Sequence, residues 1–355
     1  MGETCKAITD PNTLWTFCPS IAAAYTFTIF FGLLFAAHVI QGIYYRKWYT
    51  WVISMGALWQ TIAYIYRVIS IADPASLGDY AAWFVLILVA PLWTNASVYM
   101  IVGRMVWNFV PTAKILGITA WRFGLYFVLL DVVYAITFPL LPVFSRAMLT
   151  TVYHSAFIVQ VYGAASAEQE SNSVSQTLQG TSIILSSHDT PYHTGPTEDW
   201  QDAHDFFLGL HIYMAGVGIQ QLFILVFVFF ATQLHRVLLR GEGLEQHNQK
   251  QALRLLYTVY AVLALITLRI IFRLCEYSNG LDSTVPNHEA YQYCLDSLPM
   301  LLAFILLSIV HPGRIMPGKE CEILSRRERK KTGARCKHGF TGMSLRAESH
   351  GQMGA

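Results

Sequence analysis

Apolar residues run in long blocks along this chain, separated by short stretches of polar and basic residues. The blocks fall near residues 22–44, 50–72, 81–106, 121–143, 206–234, 255–276 and 294–311. A helix that crosses a hydrocarbon core of about 30 Å needs roughly 20 residues of this kind. Blocked apolar residues, as opposed to amphipathic spacing, predict an all-α membrane protein built as a seven-transmembrane helix bundle. Composition agrees, with 54% hydrophobic and 13% charged residues, against roughly a quarter charged in soluble domains. Residues 1–20 carry Asp, Pro and Thr before any apolar run, so the first helix, and not a cleaved leader, is the expected targeting signal.

The basic residues orient the bundle. Arg46 and Lys47 lie in the first connection and none lies in the second. Arg104, Lys114 and Arg122 flank the third, and none occurs from Ala147 to His235. Arg236, Arg240, Lys250 and Arg254 flank the next, none lies from Tyr277 to Gln292, and the tail after the last block is densely basic. This alternation predicts the N-terminus outside and the C-terminus in the cytoplasm, which an odd number of crossings satisfies. The expected organisation is an extracytoplasmic tail over 1–20, a membrane domain over 21–312 and a basic cytoplasmic tail over 313–355. The run Arg326-Arg327-Glu328-Arg329-Lys330-Lys331 is read as an anchor for anionic lipid and not as a nucleic-acid patch. Residues 166–204, rich in Ser, Thr, Gln, His and acids, read as a solvated outer loop. Of the six cysteines, Cys5 and Cys18 are an open disulfide candidate, and sequence alone does not fix the pairing.

Ionisable groups in membrane helices cost roughly 2.5–3.5 kcal/mol at the helix centre, so they are the first candidates for function. Arg269, Arg273 and Glu276 follow at intervals of four and three and share one helix face. By helical rise, Arg269 sits about 6 Å outward of the helix midpoint and Arg273 about 12 Å. Arg269 is therefore expected to face the bundle interior and pair with Asp131, Asp296 or Glu276. Arg273 is near enough to the surface to act as an interface anchor. That difference predicts a larger loss from Arg269→Ala than from Arg273→Ala. Gln60, Tyr64 and Arg67 form a second polar stripe, which His38 and Asn95 could join through interhelical hydrogen bonds. Asn95-Ala96-Ser97 matches a glycosylation pattern inside a membrane helix and is discounted. His188, Asp189, His193, Glu198, Asp199, Asp202 and His204 are too irregularly spaced for a metal site, so no metal and no cofactor is expected.

The stretch Leu268-Arg269-Ile270-Ile271-Phe272-Arg273-Leu274-Cys275-Glu276-Tyr277 is followed by Gly280, Asn287-His288-Glu289, Tyr293, Asp296, Pro299-Met300 and His311-Pro312-Gly313. With Ala90-Pro91, Ala96 to Met100, Gly103-Arg104, Phe127, Asp131-Val132 and Gly216 to Gln220, this pattern resembles the fungal RTA-like lipid-translocating exporters. The resemblance covers most of residues 19–317. It implies seven helices with the N-terminus outside, and the export of, or resistance to, amphipathic lipids such as sphingoid bases, sterol-like compounds or porphyrins. Two departures stand out. Gln60 and Ala63 occupy positions where the family usually has Glu and Gly, which removes a carboxylate but keeps hydrogen bonding. The Gly-rich run after the fourth helix is reduced to Gln160 to Ala165. The resemblance also breaks after Asp131-Val132 and resumes near Ile158-Val159-Gln160. The intervening codons are compatible with the ends of a fungal intron, so residues 134–157 are read as a candidate unspliced-intron insert.

The expected function is thus a lipid-translocating exporter in the plasma membrane, without enzymatic activity. Its partners are membrane lipids and amphipathic small molecules. The candidate substrate path comprises Gln60, Tyr64, Arg67, Asp131, Arg269, Arg273, Glu276, Glu289 and Asp296. A sphingoid ammonium is expected to meet Glu276 and Asp296 while the arginines hold those acids in place. Alternatives from other classes are a heptahelical receptor or stress-response regulator, and an enzyme using His288-Glu289 as a base pair. A retinal protein is excluded, because none of the seven blocks contains the required lysine.

Overall fold

The computed structural model describes residues 17–120, 122–128, 196–241, 246–276 and 288–317, with Cys5, Ala7, Thr13 and Trp15. Ser20 starts helix α1 (Ile21–Tyr45): its Oγ accepts the Ala23 N–H at 3.3 Å, satisfying one of the orphan donors of the first turn. The helix stops where Arg46 adopts a left-handed conformation, φ 52°, and its N–H turns back to the carbonyls of Gly42 and Ile43. After a 3-10 turn (Trp48–Thr50) come α2 (Trp51–Ala72) and α3 (Leu77–Phe109). A small hairpin of β1 (Lys114–Ile115) and β2 (Ile118–Thr119) pairs Lys114 with Thr119 and Ile115 with Ile118. Its two turn residues, Leu116 and Gly117, both have positive φ, as a tight two-residue hairpin turn requires.

Residues 122–128 are helical and enter the expected fourth crossing; its remainder, with Asp131 and the 134–157 insert, lies outside the described residues. Helices α4 (Pro196–Arg240) and α5 (Gln246–Glu276) follow. The last rod joins α6 (Glu289–Tyr291), a π-helical turn (Gln292–Ser297) and α7 (Leu298–Ile309), and α8 (Pro312–Ile315) ends the described chain. Among the described residues, six helical stretches are long and apolar enough to cross a membrane: Ile21–Tyr45, Trp48–Ala72, Gly78–Phe109, Gly216–Arg240, Gln246–Glu276 and Glu289–Ile315.

Two boundaries differ from expectation. The outer loop read over 166–204 gives way to helix from Pro196 onward. Pro196-Thr197-Glu198-Asp199 is a helix-starting sequence, with proline preset for the first turn and acids favoured at the positive end of the helix dipole. Hydropathy marks where a helix can enter lipid; capping and propensity decide where it begins. For the same reason α5 starts nine residues before its apolar block, at the polar Gln246. Residues 166–195 and the tail from 318 lie outside the described residues.

Close helix contacts rely on small residues. A Cβ on Gly103 would sit 3.1 Å from the Ala120 carbonyl oxygen, so glycine there lets α3 approach the 122–128 helix closely. At one end of the bundle Tyr45 stacks on His311 and the Asn108 amide reaches Met316 Sδ, which brings the ends of α1, α3 and α8 together. Gln249 Nε2 donates to the Leu238 carbonyl and ties α4 to α5 at the same end. Arg46, Lys47, Lys114, Lys250, Arg254 and Arg314 lie close in sequence to these contacts, which makes this a basic end among the described residues. Trp15 of the N-terminal segment lies against the opposite end, on Ser70 and Trp83.

Candidate functional site: a buried ionic network

Arg269, Arg273, Glu276 and Asp296 are brought together, with 4%, 3%, 0% and 1% of their surfaces exposed. Asp296 is the centre. Its Oδ1 pairs with Arg269 Nε and its Oδ2 with Arg273 Nη2, and Arg273 Nη1 also donates to Glu276 Oε2 at 2.8 Å. Of the three partners expected for Arg269, Asp296 meets it; Asp131 lies outside the described residues. The reading of Arg273 as an interface anchor is corrected. Depth along the helix allowed it to reach the surface, but it lies on the face turned towards the last rod, where two carboxylates claim it.

Arg269 has a second partner whose origin is in the sequence. Pro91 lies inside α3 and has no N–H to offer the carbonyl four residues earlier. That carbonyl belongs to Ile87, and Arg269 Nη2 donates to it at 3.0 Å. A proline in one helix thus supplies the acceptor that a deep arginine on another requires. Pro299 lies in the first turn of α7 on the last rod. Near it the helix widens to the π form, where Leu298 N–H reaches the Tyr293 carbonyl. This wider turn buries Tyr293, Asp296 and Ser297 together on the bundle side.

The stripe on α2 is also buried. Tyr64 hydroxyl bonds Ser297 Oγ, which in turn donates to the Gln292 carbonyl at 3.2 Å. Arg67 donates from Nη2 to Glu289 Oε1 at 2.9 Å, from Nε to the Tyr293 hydroxyl at 3.0 Å and from Nη1 to Gln292 Oε1 at 3.4 Å. Its guanidinium carbon lies 5.1 Å from the Trp15 ring centroid, 4.4 Å from Trp83 and 5.0 Å from Tyr293, a box of electron-rich faces around a cation. Trp15 stacks on Trp83 at 5.3 Å and its Nε1 donates to the Ser70 carbonyl, while Glu289 Oε2 accepts the Ser20 N–H at 2.7 Å. The described residues of the N-terminal segment, Trp15 and Ser20 above all, therefore form a strap across this end of the bundle, and a disulfide joins Cys5 to Cys18.

Gln292 lies beside Glu276 and links the two charged groups, but among the described residues the Glu276 Oε1 atom accepts no hydrogen bond of ordinary geometry. Gln60 is buried, and its Oε1 is without a hydrogen-bond partner among the described residues. His38 makes the expected interhelical bond, Nε2 to the Phe304 carbonyl at 3.2 Å; Asn95 does not, and both its amide atoms are buried without partners among the described residues. Among the described residues no group of three His, Cys, Asp or Glu side chains could hold a metal ion; the histidines and acids from His188 to Asp189, and His193, lie outside them.

Sequence reasoning missed Trp15, Trp83 and Ser20 as parts of this network. The readable signal was chemical: a tryptophan between two cysteines in a short tail, and a proline whose missing donor leaves a carbonyl open. Among the described residues the network pairs three arginines with three carboxylates, which balances its formal charge as burial of so many ionised groups demands.

A helical bundle with a neutral ionic network buried among apolar walls defines a multi-pass membrane protein. Residues 53–186 and 196–319 match the family model described as RTA1 like protein, and the chain belongs to that family. It is 32% identical over 324 residues to the probable lipid transporter atnI of Emericella nidulans, covering 87% of this chain and 70% of that protein. It is 22% identical over 349 residues to the sphingoid long-chain base transporter RSB1 of Saccharomyces cerevisiae, covering 90% and 78%. It is 24% identical over 272 residues to protoporphyrin uptake protein 1 of Saccharomyces cerevisiae, covering 76% and 71%. No solved structure matches the chain.

Proposed function

We propose that this protein translocates amphipathic lipids, with a cationic long-chain base as the favoured substrate and the buried network as its polar station. The observation that carries this reading is the fully buried carboxylate of Glu276, whose Oε1 has Gln292 beside it but accepts no hydrogen bond of ordinary geometry among the described residues. A buried carboxylate oxygen without a donor is costly to leave unmade, and an ammonium group supplies the donor. The sequence expectation that Glu276 and Asp296 share the ammonium is refined here. Both Asp296 oxygens are occupied by arginines, so Asp296 organises the cluster and Glu276 receives the headgroup. A lipid phosphate is disfavoured, because it would have to strip the arginines from Asp296.

The rings of Phe27, Tyr64 and Tyr293 stack beside the network, with Phe27 and Tyr293 4.9 Å apart, and offer an apolar wall for the tail. The names of the relatives, a long-chain base transporter among them, support the same class of substrate. We place the protein in the plasma membrane with the strap outside, the basic end in the cytoplasm and no catalytic step. The test is overexpression in cells exposed to phytosphingosine. Tolerance should rise with the native chain, and Glu276→Gln should abolish the gain while the protein still reaches the membrane. Purified protein in vesicles should move a labelled long-chain base. Resistance in cells without movement in vesicles would replace transport by a regulatory or receptor role.

A further inference from the structure

Lys250 and Arg254 lie one turn apart on α5, at the end of the bundle remote from the ionic network. Both are exposed, and neither takes part in an ion pair among the described residues. Tyr257 and Ala261 continue the same face at helical intervals of three and four residues, and they too are exposed. This face forms one side of an open groove of about 580 Å³, and Leu306 and Val310 of the last rod form the other. The volume is within the range of ligand sites, roughly 300–1,000 Å³. The groove's polarity is graded, with two cations at one end and aliphatic and aromatic side chains beyond them. Thr258, the remaining polar group on its wall, is already satisfied, since its hydroxyl donates to the Arg254 carbonyl.

We propose that this groove binds an anionic phospholipid of the surrounding bilayer. The phosphate and headgroup rest on Lys250 and Arg254, and one acyl chain lies along Tyr257 and Ala261 against Leu306 and Val310. Charge complementarity selects the occupant. Arginine offers a planar fork that matches phosphate oxygens, and the lysine one turn away adds a point charge that suits a second anionic group on the same head. From Arg254 to Ala261 the helix rises about 10 Å, so a headgroup at the basic end puts its chain at hydrocarbon depth. A free phosphate would use the cations and leave the apolar length of the groove empty; a neutral lipid would do the reverse. The site is at the other end of the molecule from Glu276, and the inference does not depend on the substrate reading.

The test uses the full chain in nanodiscs of phosphatidylcholine with a minor fraction of phosphatidylserine, with the lipid retained on gentle detergent release counted by native mass spectrometry. The native chain should retain phosphatidylserine preferentially. The pair Lys250→Gln with Arg254→Gln should lower that retention about thirtyfold, the scale set by losing two cations near an anionic surface. Ala261→Trp, which fills the groove and leaves both cations, should lower it as well, and soluble glycerophosphoserine should not displace the lipid. The pair Arg236→Gln with Arg240→Gln, at the same end but outside the groove, should retain phosphatidylserine like the native chain. Unchanged retention in the first pair, unchanged retention in Ala261→Trp, or an equal loss in the control pair would overturn the proposal. All the variants are at exposed positions, and melting temperatures close to native separate lost binding from lost folding.

Discussion

The two ends of this bundle use the same residue types in opposite ways. At the strap end, Arg67, Arg269 and Arg273 are buried and each has a carboxylate partner. At the basic end, Lys250 and Arg254 are exposed and unpaired among the described residues. Burial explains the difference. Where the surroundings are apolar, each cation needs an anion and as many hydrogen bonds as its geometry allows, so the strap end forms a closed neutral lattice. Where water and headgroups are in reach, cations can stay single and act as a field on the lipid outside. The first arrangement fixes helices to one another; the second leaves charge free for a partner.

The sharpest way to break the comparison is at Asp296. Asp296→Ala leaves two buried arginines without their shared acid and should cost about 3–5 kcal/mol, the scale for breaking a buried pair. Thermal unfolding in detergent would measure it, and a near-native melting temperature would mean that water already reaches the cluster. Arg273→Ala should come next, at a similar scale, because it strands Glu276 as well as one oxygen of Asp296. The depth argument ranks Arg269→Ala above it; the observed geometry removes that ranking, and a clear excess for Arg269→Ala would restore it.

Smaller effects are expected at the strap. Opening the Cys5–Cys18 loop with Cys5→Ser should cost up to about 3 kcal/mol on the chain-entropy scale for a loop of this length. Trp15→Ala should loosen the cover over Arg67, raising hydrogen exchange in residues 67–72 before global stability changes. The least effect on stability should come from Lys250→Gln with Arg254→Gln, within about 0.5 kcal/mol, as for surface changes away from packed features. A large loss there would mean that the basic end is paired in the same manner as the strap end.

The helices, the two polar stripes and the gathering of basic residues at one end were legible because each rests on a period or a composition within one segment. Arg269, Arg273 and Glu276 share a face by spacing alone, and Asp296 was a named partner for Arg269. The misreading of Arg273 has a definite cause: depth along a helix is linear in sequence, whereas the direction of a side chain around the axis depends on the neighbouring rods. The π turn before Pro299 shifts that direction for Asp296, and no hydropathy profile registers it. The strap was illegible for a related reason. A tail of mixed polar residues reads as solvent-exposed until Trp83 and Ser70, two helices' worth of chain away, provide the surface on which Trp15 lies.

The shared carboxylate of Asp296 also bears on how the chain is made. Arg67 and Arg269 leave the ribosome before Glu289 and Asp296, their described carboxylate partners, and an arginine held unpaired in a membrane helix costs up to roughly 2.5–3.5 kcal/mol. Helix α5 therefore enters the membrane in debt, and the last rod clears it by arriving alongside. Stable seating of α5 is expected to depend on Glu289–Ile315. A chain that ends before Asp296 lacks the acid that Arg269 and Arg273 share, so the last rod completes the ionic lattice as well as the bundle.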